Sequence, residues 1–260
     1  MATVKELRKG LADTTMPKEK MDALLKGASS LWLSSDSGAL LAGDLALCHP
    51  PLKRHEVRAR TVGGDDTWRL TVATHDRKGL VADTAAILSL QDFSITGASL
   101  ATWDTFDLAL LSLTIDGAVP DEEALDHIGA ALRAASDGTR PTIPFAPTGR
   151  AFVRHSGSAN GDAMISVVAP DQRGLLATIC RWFSDAGVNI EAAWITGEEE
   201  ANDVFVVDGE VNVNELEKLL THDAHSVQDV VGDMFADARR AGENLVRSVA
   251  GFVGGLLKRG

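Results

Sequence analysis

One stretch of this chain occurs twice. Thr-His-Asp-Arg-Lys-Gly-Leu-Val-Ala at 74–82 aligns with Ala-Pro-Asp-Gln-Arg-Gly-Leu-Leu-Ala at 169–177. An offset of 95 residues carries Asp76 onto Asp171, and it holds without a gap from Leu70/Ile165 to Ala98/Ala193. A period this long marks the duplication of a whole domain, because solenoid repeats run to roughly 20–50 residues. Any fold for this chain must therefore accommodate the same unit twice.

The periodicity around the repeat gives that unit its elements. Trp68, Leu70 and Val72 alternate, as do Ala163, Ile165 and Val167, which predicts strands with one buried face. After the glycine, Leu80, Val81, Thr84, Ile87 and Leu88 share one helical face, and Leu175, Leu176, Ile179, Trp182 and Phe183 are their counterparts. Two strand-like runs follow in each copy, at 95–103 and 108–115 and at 190–196 and 204–207. Each copy then reaches Asp-Gly, at 116–117 and 208–209, and a second helix. Those helices carry Leu125, Ile128 and Leu132 in the first copy and Val213, Leu216 and Leu219 in the second, where Asn214 and Glu217 have capping-box spacing.

The unit reads β-α-β-β-α, and one more strand completes a ferredoxin-like βαββαβ sheet. The candidates are 56–62 and 151–155. Either each strand leads its own unit, or the second closes the first unit. A sheet backed by helices on one face gains by pairing edge to edge with its copy, so the expected class is α+β, with two tandem modules joined through antiparallel sheets. The expected boundaries are a helical extension over 1–54, modules over 55–149 and 150–222, and a C-terminal helix over 223–260.

Composition narrows the function. With 45% apolar and 24% charged residues the chain is globular, and no apolar run reaches membrane-spanning length. A net charge of −12 repels nucleic acid and anionic lipid, so neither is an expected partner. The start, MATVKELRKG, is too charged for a secretory signal. Cys48 and Cys180 form no C-x-x-C pattern and suit free thiols in the cytoplasm.

Asp-x-x-Gly-Leu sits at a strand-to-helix junction in both copies, Asp76–Leu80 and Asp171–Leu175 in number. The opening turn of a helix offers backbone N–H groups and a positive dipole end to a carboxylate. The glycines Gly79 and Gly174 allow close backbone approach, and Asp76 and Asp171 offer a carboxylate to an ammonium. Such a turn suits a zwitterion. The competing reading is that each Asp caps its own helix.

These strings, with Gly-Val-Asn-Ile at 187–190 and Asp-Val-Phe-Val-Val-Asp at 203–208, resemble the ACT domain, the small regulatory module of amino-acid metabolism. More narrowly, Ala-Leu-Leu-Ala-Gly-Asp-Leu-Ala-Leu-Cys-His-Pro-Pro-Leu at 39–52, a strand and then the tandem pair resemble the C-terminal part of bifunctional uridylyltransferase/uridylyl-removing enzymes, whose paired ACT domains are associated with glutamine sensing. The resemblance covers about residues 36–221. It implies a non-catalytic sensor of an amino acid such as glutamine in nitrogen or amino-acid metabolism, signalling to a protein partner, with a homodimer as one arrangement.

The resemblance also implies a ligand at the seam between units, where the loop after one unit's first strand faces another unit's second strand. Carried over, the ligand-binding candidates are Asp171, Gln172, Arg173, Gly174, Leu175 and Leu176, with Asn189 and Ile190. Their counterparts are Asp76, Arg77, Lys78, Gly79, Leu80 and Val81, with Ser94 and Ile95. Ser94 stands where the pattern has Asn, and His75 where Pro is common. A serine lacks the paired donor and acceptor of an amide, so the site is expected around the second loop. A ligand-free scaffold that only presents interaction surfaces is the rival reading.

Catalytic machinery is not legible. No Gly-Ser stretch precedes an Asp-x-Asp pair for magnesium, and no Ser/His/Asp constellation or cysteine nucleophile stands out. No metal, cofactor or catalytic residue is expected; His75-Asp76 belongs to the loop above, and His222, Asp223 and His225 read as a polar linker. At the ends, Pro17 opens a helix carrying Met21, Leu24 and Leu25, and His49-Pro50-Pro51 stops the last N-terminal helix. From Val227 through Met234, Leu245 and Phe252 to Leu256, three- and four-residue steps predict an amphipathic helix for packing rather than membrane contact.

Overall fold

The computed structural model describes residues 2–159, 162–197 and 200–221. The predicted C-terminal helix and the His222–His225 linker lie outside the described residues. Four short helices, α1 (Val4–Gly10), α2 (Lys18–Gly27), α3 (Ser30–Ser35) and α4 (Gly38–Ala46), precede two halves of identical element order. The first half comprises β1 (Arg58–Gly63), β2 (Thr67–Thr74), α5 (Leu80–Leu90), β3 (Ile95–Trp103), β4 (Leu108–Asp116) and α6 (Glu122–Ser136). The second comprises β5 (Phe152–Ala159), β6 (Asp162–Pro170), α7 (Leu175–Asp185), β7 (Asn189–Thr196), β8 (Glu200–Asp208) and α8 (Val213–Leu220).

All eight strands form one antiparallel sheet in the order β1-β2-β4-β3-β7-β8-β6-β5. The halves join edge to edge at β3 and β7 through Gly97 opposite Thr196 and Ala98 opposite Ile195. Each half reads ββαββα rather than the expected βαββαβ. The strand beside β2 is β1, and the strand beside β6 is β5, so each leading strand serves its own half. Chain connectivity gives the reason. Gly64–Asp66 alone separate β1 from β2, and closing so short a loop costs little entropy.

Between α6 and β5 the chain runs as an extended linker, from which Ile143 and Phe145 pack on the core. The helices α5, α6, α7 and α8 cover one face of the sheet, burying Leu70, Val72, Leu113, Ile165, Val167, Phe183 and Phe205 among others. At roughly 1.5–3 kcal/mol for each large apolar side chain removed from water, this layer dominates the stability of both halves.

The opposite face distinguishes the halves. In β6 burial alternates, as the sequence predicts, whereas β2 is buried on both faces from Trp68 to Thr74. The N-terminal helices account for this by packing on the first half alone. Leu7, Leu24, Trp32, Leu41 and Leu45 meet Ala73, Ala101, Trp103, Leu108 and Leu110. Trp32 stands edge-on to Trp103 with ring centroids 5.8 Å apart, and the Trp103 indole donates to the Leu24 carbonyl at 2.9 Å. Beneath α4, buried Asp44 binds Arg69 at 2.6 Å and accepts from Thr71, so the charge enters the interface paired. On the second half the same face leaves Phe152 and Trp194 exposed.

Caps and turns follow local chemistry. Asp121 caps α6 through the Ala124 amide. In α8 the cap is Asn212, accepting from the Glu215 amide, two residues before the predicted Asn214. Among the described residues no helix is long and apolar enough to cross a membrane.

Candidate ligand cleft at the seam

Both repeated loops run onto the seam, and both use glycine for the same backbone reason. Gly79 and Gly174 precede α5 and α7 with φ of 82° and 83°, a left-handed conformation that side chains with a β-carbon resist. Neither helix has a side-chain cap, so Asp76 and Asp171 are not the caps that the competing reading requires. Leu80 and Leu175 close tight turns by donating to the Arg77 and Gln172 carbonyls, and the first intrahelical bonds run from Asp83 to Gly79 and from Thr178 to Gly174. The amides between, Val81 with Ala82 and Leu176 with Ala177, sit in the opening turn where no intrahelical partner exists.

The seam sorts the predicted residues crosswise. The second loop, Asp171 to Leu176, faces Ser94 and Ile95 of the first half across an open cleft of about 270 Å³. The first loop, Asp76 to Val81, faces Asn189 and Ile190 of the second half, but only about 20 Å³ remains there. That is room for about one water molecule and far too little for an amino acid. The reason given for choosing the second loop therefore fails: Asn189 lines the opposite seam, and Ser94 is the residue that accompanies Asp171. In the narrow seam Leu100, Cys180 and Val188 stand against the loop.

The open cleft is acidic. Asp203 on β8 and Asp171 both line it. Both carboxylates meet the end of β7. The Thr196 amide donates to Asp203 Oδ1 at 3.4 Å, and a β-carbon at Gly197 would collide with the Asp171 carboxylate. Burial pushes Asp203 up to about 7, opposed by the Thr196 amide and reinforced by the charge of Asp171. Burial likewise raises Asp171 above the usual carboxylate range. Arg173 at the cleft mouth is paired with Asp92. The apolar share of the wall comes from Phe93, Leu175, Leu176 and Ile195.

Sequence reasoning missed Asp203, Asp92 and the β7 end at Thr196–Gly197. Asp203 opens the Asp-Val-Phe-Val-Val-Asp string and interrupts its buried strand face with a charge, the one signal that pointed to it. Elsewhere, Cys48 and Cys180 are buried, and burial pushes Cys48 up to about 12 and Cys180 well above the ordinary thiol value. Among the described residues no His, Cys, Asp and Glu side chains gather into a metal-binding group.

Residues 163–221 match the family model of the ACT domain. That stretch is an ACT domain. It runs from β6 to the end of α8 and supplies Asp171, the α7 start and Asp203 to the cleft. No curated protein gives a significant match. A crystal structure provisionally described as a glycine cleavage system transcriptional repressor is 12% identical, covering 65% of this chain and 94% of that one, with a TM-score of 0.22. An unknown protein from Galdieria sulphuraria is 16% identical, covering 66% and 95%, with a TM-score of 0.23.

Proposed function

We propose that the chain is a non-catalytic regulatory sensor that binds one free amino acid in the open cleft and signals to a protein partner. The supporting observation is the pairing, in one cleft of about 270 Å³, of uncapped helix-start amides with two carboxylates, Asp171 and Asp203. An amino acid carries the complementary pair of charges. Its carboxylate takes the amides of Leu176 and Ala177 at the positive end of α7, and its ammonium takes Asp171 with Asp203 beside it. Phe93 and Ile195 shield the contact from water, which strengthens each polar bond.

The proposed division of labour follows the expected boundaries: 1–54 as a helical extension, 55–149 and 150–222 as two ACT-type modules, and 223–260 as an output segment. A ligand bridging Asp171 and Ser94 touches both halves and so favours one seam geometry over others, the differential binding that any ligand-driven change requires. Glutamine and a role in nitrogen metabolism, alongside the resemblance to the sensor end of uridylyltransferases, belong to this proposal.

Thermal denaturation of the full chain against each of the twenty amino acids tests it. A ligand at 100 times its Kd stabilises by about 2.7 kcal/mol, a readily measured rise in Tm. Asp171→Ala should remove that rise. No stabilisation by any amino acid would reject the reading in favour of the ligand-free scaffold.

A further inference from the structure

The first loop, shut against an amino acid, opens on its outer side into a second cavity of about 180 Å³ whose chemistry is the reverse of the cleft's. Four cationic side chains line it, Arg77, Lys78, Arg140 and Arg181, against one carboxylate, Asp83. In a chain of net charge −12 this concentration of positive charge is a local inversion.

The pairing within it does not balance. Asp83 is buried on α5 and is clamped by two guanidiniums, Arg77 Nη1 to Oδ2 and Arg181 Nη2 to Oδ1, each at 2.6 Å. Two cations on one carboxylate leave a net positive charge, with the three side chains only 24%, 5% and 15% exposed. The Nε atoms of both arginines are buried without a hydrogen-bond partner. Lys78 adds another charge and, among the described residues, donates to the neutral Gly187 carbonyl at 3.3 Å. Arg140 alone has an anion of its own, Asp185, at 2.9 Å on the surface. Two partly buried guanidiniums share a single carboxylate, and an anion from outside would offset the excess charge.

The shape specifies which anion. The cavity lies beside the start of α5, an eleven-residue helix whose dipole favours negative charge. Thr139 and Ser184 add hydroxyl donors from the turn after α6 and from α7. Guanidinium forks, an ammonium and hydroxyls converging from different directions can engage several oxygens on one centre.

We propose that this cavity is a binding site for a tetrahedral oxyanion, inorganic phosphate or the phosphoryl group of a small metabolite. The site is independent of the amino-acid cleft and shares no residue with it. An anion there replaces the missing counter-charge at the junction of α5, α6 and α7, and so ties the first loop to both halves.

The experiment is calorimetric titration of the full chain with phosphate and, separately, with glycerol phosphate, at ionic strength held constant with sodium chloride. Saturable binding of one equivalent of either is expected; binding of phosphate alone marks a free-anion site, and tighter binding of the ester marks a phosphorylated metabolite. Lys78→Ala with Arg140→Ala, both exposed positions, should weaken the affinity at least tenfold while leaving the Tm without phosphate nearly unchanged. Broadening of the phosphate phosphorus-31 line by the unaltered chain, reversed by excess sulfate, reads the same site without any variant. Absence of saturable binding by both anions, or equal affinity in the double variant, overturns the proposal.

Discussion

The two seams of this molecule are built from the same turn, yet they differ in space and in charge. At the second loop, Arg173 reaches the Asp92 carboxylate; at the first, Lys78 reaches the Gly187 carbonyl. Positions 92 and 187 are equivalent under the repeat, and both have left-handed backbone, with φ of 63° and 77°. The contact is conserved between the halves while its chemistry has changed. Around it, Asp83 and Arg181 have Thr178 and Ala86 as counterparts, so only one seam carries the ionic clamp. Duplication fixes geometry, and a few substitutions then decide whether a seam is an acidic cleft or a basic, nearly filled one.

The largest expected effect breaks the clamp. Asp83→Ala leaves two partly buried guanidiniums without their carboxylate and should cost about 3–5 kcal/mol in urea denaturation. Thr178→Ala, its counterpart at the open seam, should cost well under half of that, since Thr178 holds no ion pair.

Next comes pH. Asp203 has its folded value raised to about 7 from an ordinary 3.8, so between those values the folded chain holds a proton that the unfolded chain has released. Its contribution is complete below about 4 and is lost as pH rises through 7. Stability should therefore fall by a few kcal/mol between pH 5 and 8, and Asp203→Asn should flatten that slope in denaturation curves taken across the range. A slope unchanged by Asn would place the titration elsewhere.

Smaller is the difference between the two glycines. At Gly174 a β-carbon would lie 2.7 Å from the Pro144 carbonyl oxygen, backbone that cannot move aside, whereas at Gly79 the nearest atom is the Ser184 hydroxyl at 3.2 Å. Both substitutions to Ala incur the left-handed penalty of about 1–2 kcal/mol. Gly174→Ala should exceed Gly79→Ala by a further 1–3 kcal/mol or so, read from denaturation midpoints. The smallest effect is Arg173→Ala: its pair with Asp92 is exposed, and its loss should change stability by less than about 1 kcal/mol.

Much of the fold was legible because it rests on patterns within a few residues. The alternation in β2 and β6, the helical faces of α5 and α7 and the glycine turns all follow from side-chain periodicity and backbone sterics. The order of strands in each half was not, because a strand such as 151–155 carries no label for its partner; hairpin proximity chose β6. Nor could alternation reveal that β2 is buried twice, since its second cover is α4, brought in by the pairing of Asp44 with Arg69 far along the chain. The candidate loops were readable from the repeat, but which of the two keeps room beside it was not. Ser94 meets the second loop and Asn189 the first because the sheet joins β3 to β7, a contact between halves that no local spacing encodes. Asp203 escaped for a similar reason, as a charged residue in a strand that only the assembled cleft explains.

The leading hairpins carry one further consequence. Because β1 and β5 each belong to the half that follows them, every strand of a half lies in a single uninterrupted stretch of chain. Copying such a stretch once, head to tail, yields a second complete sheet with no strand borrowed from its parent. Each half then meets the other along one strand edge, β3 against β7, and its turn is free to carry a specificity of its own.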